Sequence, residues 1–149
     1  MGLTSSRALK PHIGHVEQVE ISWIPDFADE RPPPNSMVSI WANEVMKAMD
    51  ILERPMRVEP ERIKSQMRDA GFVEVKETVV MVPYSGWPTD HKDRETGRWF
   101  ALGLNQGLHA LTIGPLFRGL NKSPQEVNDL ITRVKDEILQ RQHRAFCKL

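Results

Sequence analysis

Apolar positions along the chain alternate between a spacing of two and a spacing of three to four, and that switching divides it into elements. Residues 1–11 are small and polar and read as a loose arm before Pro11. His15-Val16-Glu17-Gln18-Val19-Glu20-Ile21 is rich in β-branched residues and predicts a first strand, entered through the turn at Gly14. Pro25 to Pro34 carries four prolines and four charged residues and predicts a loop, its Pro32-Pro33-Pro34 end stiffened into an extended lead-in. Asn35 or Ser36 then caps a helix on which Val38, Trp41, Val45, Ala48, Met49 and Leu52 fall on one face, stopping near Arg54 because Pro55 cannot continue it.

A shorter helix starts at Pro60, with Ile63, Met67 and Ala70 as its apolar face and Gly71 as a left-handed C-terminal cap. Phe72 to Val82 predicts a strand, alternating at first and continuously apolar later, closed by Pro83. After the aromatic turn Tyr84-Ser85-Gly86-Trp87-Pro88, a helical pattern runs from about Asp93 to Leu111, with Phe100, Leu104, Leu108 and Leu111 on one stripe. Gly97, Gly103 and Gly107 each weaken that helix by about 1 kcal/mol relative to alanine, so close packing is their expected use. Gly114-Pro115 is expected to break it. Ser123-Pro124-Gln125-Glu126 is a capping box, and the helix behind it buries Val127, Leu130, Ile131, Val134 and Ile138. His143 to Leu149 suffices for a strand stub. The order strand, helix, helix, strand, helices, stub is α/β with helix in excess.

Composition narrows the functional classes. The chain has 149 residues, 20 Lys+Arg against 20 Asp+Glu, and one cysteine. A net charge of zero removes the long-range field that draws in phosphate backbones or anionic membranes, so nucleic acid and membrane are not expected partners. Cys147 alone excludes an internal disulfide and a multi-cysteine zinc site, and fits a reducing compartment. The longest strictly apolar run, Val79 to Val82, is far short of the ~20 residues of a spanning helix. With no apolar stretch behind Arg7 and Lys10, the start is no secretory signal, and an intracellular location, cytoplasmic or nuclear, is expected.

Candidate chemistry is sparse. The nine glycines stand at 2, 14, 71, 86, 97, 103, 107, 114 and 119, so no G-x-G turn exists to approach a pyrophosphate or adenosyl group, and no cofactor is expected. His12 and His15 lie three apart near Glu17 and Glu20, but zinc needs three or four converging ligands and no metal is expected. Ser85-Gly86 lacks the preceding glycine of a nucleophile elbow. Candidate ligand-binding residues are Glu20 and Trp23 near the end of the first strand, and Tyr84, Trp87, Trp99 and His109. The rings either line an apolar pocket or pack the core, and His109 either faces a pocket or lies on a helix surface.

Several stretches in one order resemble the LaeA-like (TAM-domain) methyltransferases of filamentous fungi. Leu9-Lys10-Pro11 with His15 to Ile21 is similar to that family's "LKPG…VEQVEI", and Pro33-Pro34-Asn35-Ser36 with Trp41-Ala42-Asn43 to its "LPPNSAL…WAN". Arg54-Pro55-Met56, Asp69 to Val73, Val82-Pro83-Tyr84 with Trp87-Pro88, Gly97 to Phe100, and Gly103-Leu104 with Gln106 to Leu108 continue the match to about residue 146. The resemblance implies the C-terminal half of a class I S-adenosylmethionine-dependent methyltransferase: a partial Rossmann-like fold, an arm over 1–8 and a truncated domain over 9–149. The family's glycine-rich donor-binding turn would lie upstream of Leu9, so no donor-binding residue carries over. The resemblance implies a non-methylating binding or accessory protein in secondary metabolism, with a cofactor-independent cyclase or isomerase as the alternative. Its expected partners are an apolar small molecule, a second copy or methyltransferase-like chain covering the exposed sheet edge, or a velvet-type protein.

Overall fold

A long helix that ignores its own proline organises the molecule. The structure, a computed structural model, describes residues 14–29, 33–140 and 143–149. The arm over 1–8, Leu9 to Pro11 and His12 lie outside the described residues. The elements are β1 (Ser22–Phe27), α1 (Met37–Ile51), α2 (Pro60–Asp69), β2 (Met81–Pro83), α3 (His91–Leu120), α4 (Pro124–Gln140) and β3 (Ala145–Lys148).

The helices start where their caps stand. Ser36 caps α1, its hydroxyl accepting from the Ser39 N–H at 3.2 Å. Pro60 opens α2, and Gly71, at φ +91°, leaves it in the left-handed region that glycine occupies without a Cβ penalty. The Ser123–Glu126 box forms in both directions: the Ser123 N–H donates to the Glu126 carboxylate at 2.8 Å, and the Glu126 N–H to the Ser123 hydroxyl at 3.3 Å. Behind these caps the expected faces of α1 and α4 are buried, with Met49 and Leu52 at the margin.

α3 corrects the expected break. It runs 30 residues straight through Gly114-Pro115 and ends at Asn121, which takes the left-handed conformation. Pro115 removes one backbone donor, at a cost of about 3 kcal/mol in an isolated helix. Tertiary packing offsets that cost, because the turns on either side are the ones that meet α1. Thr112, Leu116 and Gly119 are fully or nearly buried there, and a Cβ on Gly119 would lie 2.6 Å from the Ala48 carbonyl oxygen.

The strands depart from the sequence pattern in both places. The first lies at Ser22–Phe27 rather than over residues 15–21, which are irregular and largely exposed. Pairing decides this: β3 offers partners from Ala145 opposite Phe27 to Lys148 opposite Ser22, and no described strand pairs with Val19 or Glu20. Pro25 is accepted inside the strand because β1 is an edge and its register slips between Ser22 and Asp26. Of the expected strand over 72–82, only Met81–Pro83 forms, lengthened by a reciprocal pair of 2.8 Å bonds between Val80 and Leu149. Residues 72–79 find no strand alongside.

The sheet has the order β1-β3-β2, with β3 central and antiparallel to both neighbours. The result is a helix-rich α/β unit with a small antiparallel sheet. α1 and α3 pack on β1 and β2 respectively and, with α4, on one another. The core between them centres on Trp41, whose ring meets Trp23 edge-on at 5.9 Å and whose indole N–H donates to the Thr112 hydroxyl at 2.8 Å. α2 packs against no other helix or strand.

Candidate functional site

The six candidate residues separate into three places. Tyr84, Trp87 and Trp23 belong to the core and its edge. Tyr84 is only 2% exposed, and its hydroxyl donates to the Trp23 carbonyl at 2.8 Å. Phe100 meets its ring edge-on at 5.5 Å. The Trp87 indole donates to the Ala145 carbonyl at 2.9 Å. A buried aromatic with a polar tip needs such a partner, and here the partners are backbone groups of β1 and β3. These rings therefore fasten the 84–88 turn to the sheet. Gly97 completes the junction: a Cβ there would fall 2.2 Å from the Ser85 carbonyl oxygen, so only glycine lets α3 pass this close.

Trp99 and His109 lie on the outward side of α3, with Trp99 71% exposed. Neither lines a described cavity. Gly103 and Gly107, expected to serve close packing, have open space where a Cβ would stand.

Glu20 reaches a groove. The apolar face of α2 (Ile63 and Met67) faces Val75, Val79 and Leu149 across a hollow of about 300 Å³. Glu20, Ser22, Lys64 and Lys148 line it with polar groups. Lys64 is fixed at the wall, its Nζ 2.5 Å from Glu61 and 3.0 Å from Glu77. The hydrogen bonds that its ammonium donates to Glu61 and then Glu77 raise its pKa, and the bond that Glu61 accepts from Lys64 lowers that of Glu61. Lys148 pairs with Asp26 at 2.8 Å across the outer face of the sheet. An apolar trough rimmed by both signs of charge suits an amphipathic small molecule. The signal for it is present in the sequence as the apolar Ile63–Met67 face of α2, which the fold leaves half-buried beside an irregular segment.

Glu137 was not singled out from the sequence, because it is one charged position on an otherwise apolar face. It is buried against the start of α1, where its carboxylate accepts from the Ser36 hydroxyl at 2.8 Å and from the Met37 N–H. A carboxylate there satisfies orphan backbone donors and meets the positive end of the helix dipole. His143 stands 4.0 Å from it, at the rim of a shallow hollow of about 410 Å³.

The described residues do not fit a methyl donor of the adenosyl type. Helix starts are where a strand–turn–helix unit offers free N–H groups to a ligand, and three of the four starts here have side chains of the same chain on those groups. Glu137 fills that of α1, Asp90 accepts from the Asp93 N–H at 3.0 Å at α3, and Glu126 with Ser123 closes α4. α2 begins at a proline after Glu59. No group of three potential metal ligands gathers among the described residues. No described helix is long and apolar enough to cross a membrane.

No protein-family model matches the chain, and no solved structure matches it either. Curated proteins do. The chain is 42% identical over 141 residues to the protein-methionine methyltransferase laeA of Chaetomium globosum, which spans 95% of this chain and 44% of that protein. It is 33% identical over 141 residues to the secondary metabolism regulator laeA of Fusarium oxysporum f. sp. lycopersici, again 95% of this chain and 45% of the relative. The regulator of the same name from Gibberella zeae gives the same figures. The chain thus spans somewhat under half the length of the curated relatives it matches. Along 95% of its own residues, the chain belongs with the laeA proteins, relatives that are themselves named as secondary metabolism regulators.

Proposed function

We propose that this chain acts in fungal secondary metabolism as a non-methylating binding or accessory module, corresponding to the C-terminal part of a Rossmann-like laeA-type methyltransferase. The observation that carries the reading is the division of labour just described. The helix starts that could receive a donor are closed by Glu137, Asp90 and Glu126, while the groove under α2 is open and mixed in character. Its ligand is an apolar small molecule with a polar group, seated between Ile63, Met67 and Val75 with the polar end toward Lys64, Lys148 or Glu20. The cyclase or isomerase alternative needs Tyr84, Trp87, Trp99 and Glu20 around one pocket. They stand apart here, so no observation favours it over binding.

The test is an amide chemical-shift titration with anilinonaphthalene sulfonate, an apolar body carrying one anion. Shifts are expected at Ile63, Lys64, Val75, Lys148 and Leu149, and Met67→Asp abolishes them without changing the melting curve, because α2 packs on no other element. Absence of shifts in the groove, or shifts confined to α3, overturns the reading.

A further inference from the structure

The central strand of the sheet is shorter than the two segments that flank it. Lys148 of β3 lies between Ser22 of β1 and Met81 of β2, and Leu149 exchanges two 2.8 Å bonds with Val80. Both neighbours run antiparallel to β3, so residues 15–21 and 72–79 carry their lines on past Leu149. These are the two stretches whose sequence predicts strands and which pair with no described strand. Among the described residues, no backbone group of 15–20 or 73–79 takes part in a hydrogen bond.

The groove under α2 lies between these segments. One wall contributes Gln18, Glu20 and Ser22, every second residue, which is the period of a strand. The other contributes the run Val75 to Val79, while Lys148 and Leu149 close the near end and Ile63 and Met67 cover one face. β1 and β2 each lie one strand spacing, ~4.8 Å, from β3, so a gap that continues the line of β3 between them is one strand wide. Two rows of unpaired N–H and C=O groups across such a gap are a template for one more strand. A small apolar molecule uses the apolar face and leaves both rows to water; an extended peptide uses all three surfaces.

We propose that the groove is a strand-addition slot, in which an extended segment of another polypeptide enters in line with β3, antiparallel to 15–21 and 72–79. The register follows from β3. Counting on from Leu149, the first added residue lies between Glu20 and Val79, the third between Gln18 and Glu77, and the fifth between Val16 and Val75. These odd positions share the face of Ser22 and Lys148, meet Ile63 and Met67, and take apolar side chains. The even positions, beside Val19 and Thr78 and then Glu17 and Lys76, take polar ones. Residues 1–13 of the chain lack that alternation and carry Pro11, which a strand paired on both sides does not admit. The proposal rests on the same open groove as the ligand reading and goes beyond it, because a strand seated there displaces a small molecule.

Amide hydrogen exchange of the full chain with acetyl-Val-Thr-Val-Thr-Val-Thr-amide, up to millimolar peptide, tests it. Residues 16–20 and 73–79 are expected to exchange at least about tenfold more slowly, and bound anilinonaphthalene sulfonate is expected to be displaced. The same peptide N-methylated at its threonines keeps every side chain but loses the N–H groups turned to Thr78 and Lys76, and is expected to do neither. Thr78→Pro removes one donor from the wall and weakens the peptide by about tenfold. It leaves the melting curve unchanged, since that N–H has no partner in the chain alone. Absent protection, or equal protection by the N-methylated peptide, overturns the proposal. Dye binding without peptide binding leaves the ligand reading standing and this one fallen; peptide binding without dye binding does the reverse.

Discussion

Helical glycines persist where a missing Cβ makes room, and α3 contains two kinds. Gly97 and Gly119 sit where an added carbon would strike backbone, of Ser85 and Ala48 respectively, whereas Gly107 faces open space. The two kinds respond oppositely to alanine. Gly97→Ala forces α3 away from the 84–88 turn and costs about 1–3 kcal/mol, as overpacking does. Gly107→Ala gains about 0.5–1 kcal/mol from reduced chain entropy. Chemical denaturation of the two variants checks both signs. Spacing predicted packing for Gly97, Gly103 and Gly107 alike, because the glycine pattern is the same whether the neighbour is one's own chain or open space. For Tyr84 and Trp87 the sequence left pocket and core equally open, and only the backbone carbonyls of Trp23 and Ala145 decide for fastening. Glu137 was invisible for a simpler reason: its partners, Ser36 and Met37, are a hundred residues away.

Among elements, legibility followed how local the determinants are. α1, α2 and α4 have their caps, prolines and apolar spacing within a few residues, and they form where those signals stand. The strands depend on β3, which comes last in the chain. β1 therefore moved to the residues β3 can reach, and the Phe72–Val82 pattern shrank to a short ladder. Pro115 is the reverse case, a strong local stop overridden by packing against α1. The α1–α4 junction gives the clearest prediction at this scale. Glu137→Ala leaves the Ser36 hydroxyl and the Met37 N–H without their acceptor in a buried setting, and costs about 2–4 kcal/mol. Glu137→Gln keeps one acceptor oxygen and recovers part of the loss. Thermal melts check this, at roughly 2–4 °C per kcal/mol for a chain of this size.

At the scale of the whole molecule, the small sheet carries an alkaline weakness. Cys147 lies at its centre, 1% exposed, its thiol donating to the Val82 carbonyl at 3.6 Å. Burial pushes that thiol up to about 11 from an ordinary 9.0, and burial raises the neighbouring Tyr84 hydroxyl as well, with Cys147 a lesser cause. Both groups are neutral in the fold and ionise more readily in the unfolded chain, so stability is full below pH 9 and falls as pH rises toward 11. Equilibrium unfolding between pH 7 and 10.5 should show this fall, and Cys147→Ala should make it shallower. The α/β character of the chain was legible from element order and its family from ordered motifs. The direction of the strands was not, because antiparallel pairing with β3 leaves no mark in any single strand.

We propose that this segment of a methyltransferase family presents a binding groove and no donor site. Calorimetric titration of the chain with S-adenosylmethionine tests it most directly. No binding heat is expected up to millimolar donor, because the starts of α1, α3 and α4 are filled by Glu137, Asp90 and Glu126. Saturable binding at micromolar affinity would contradict the account.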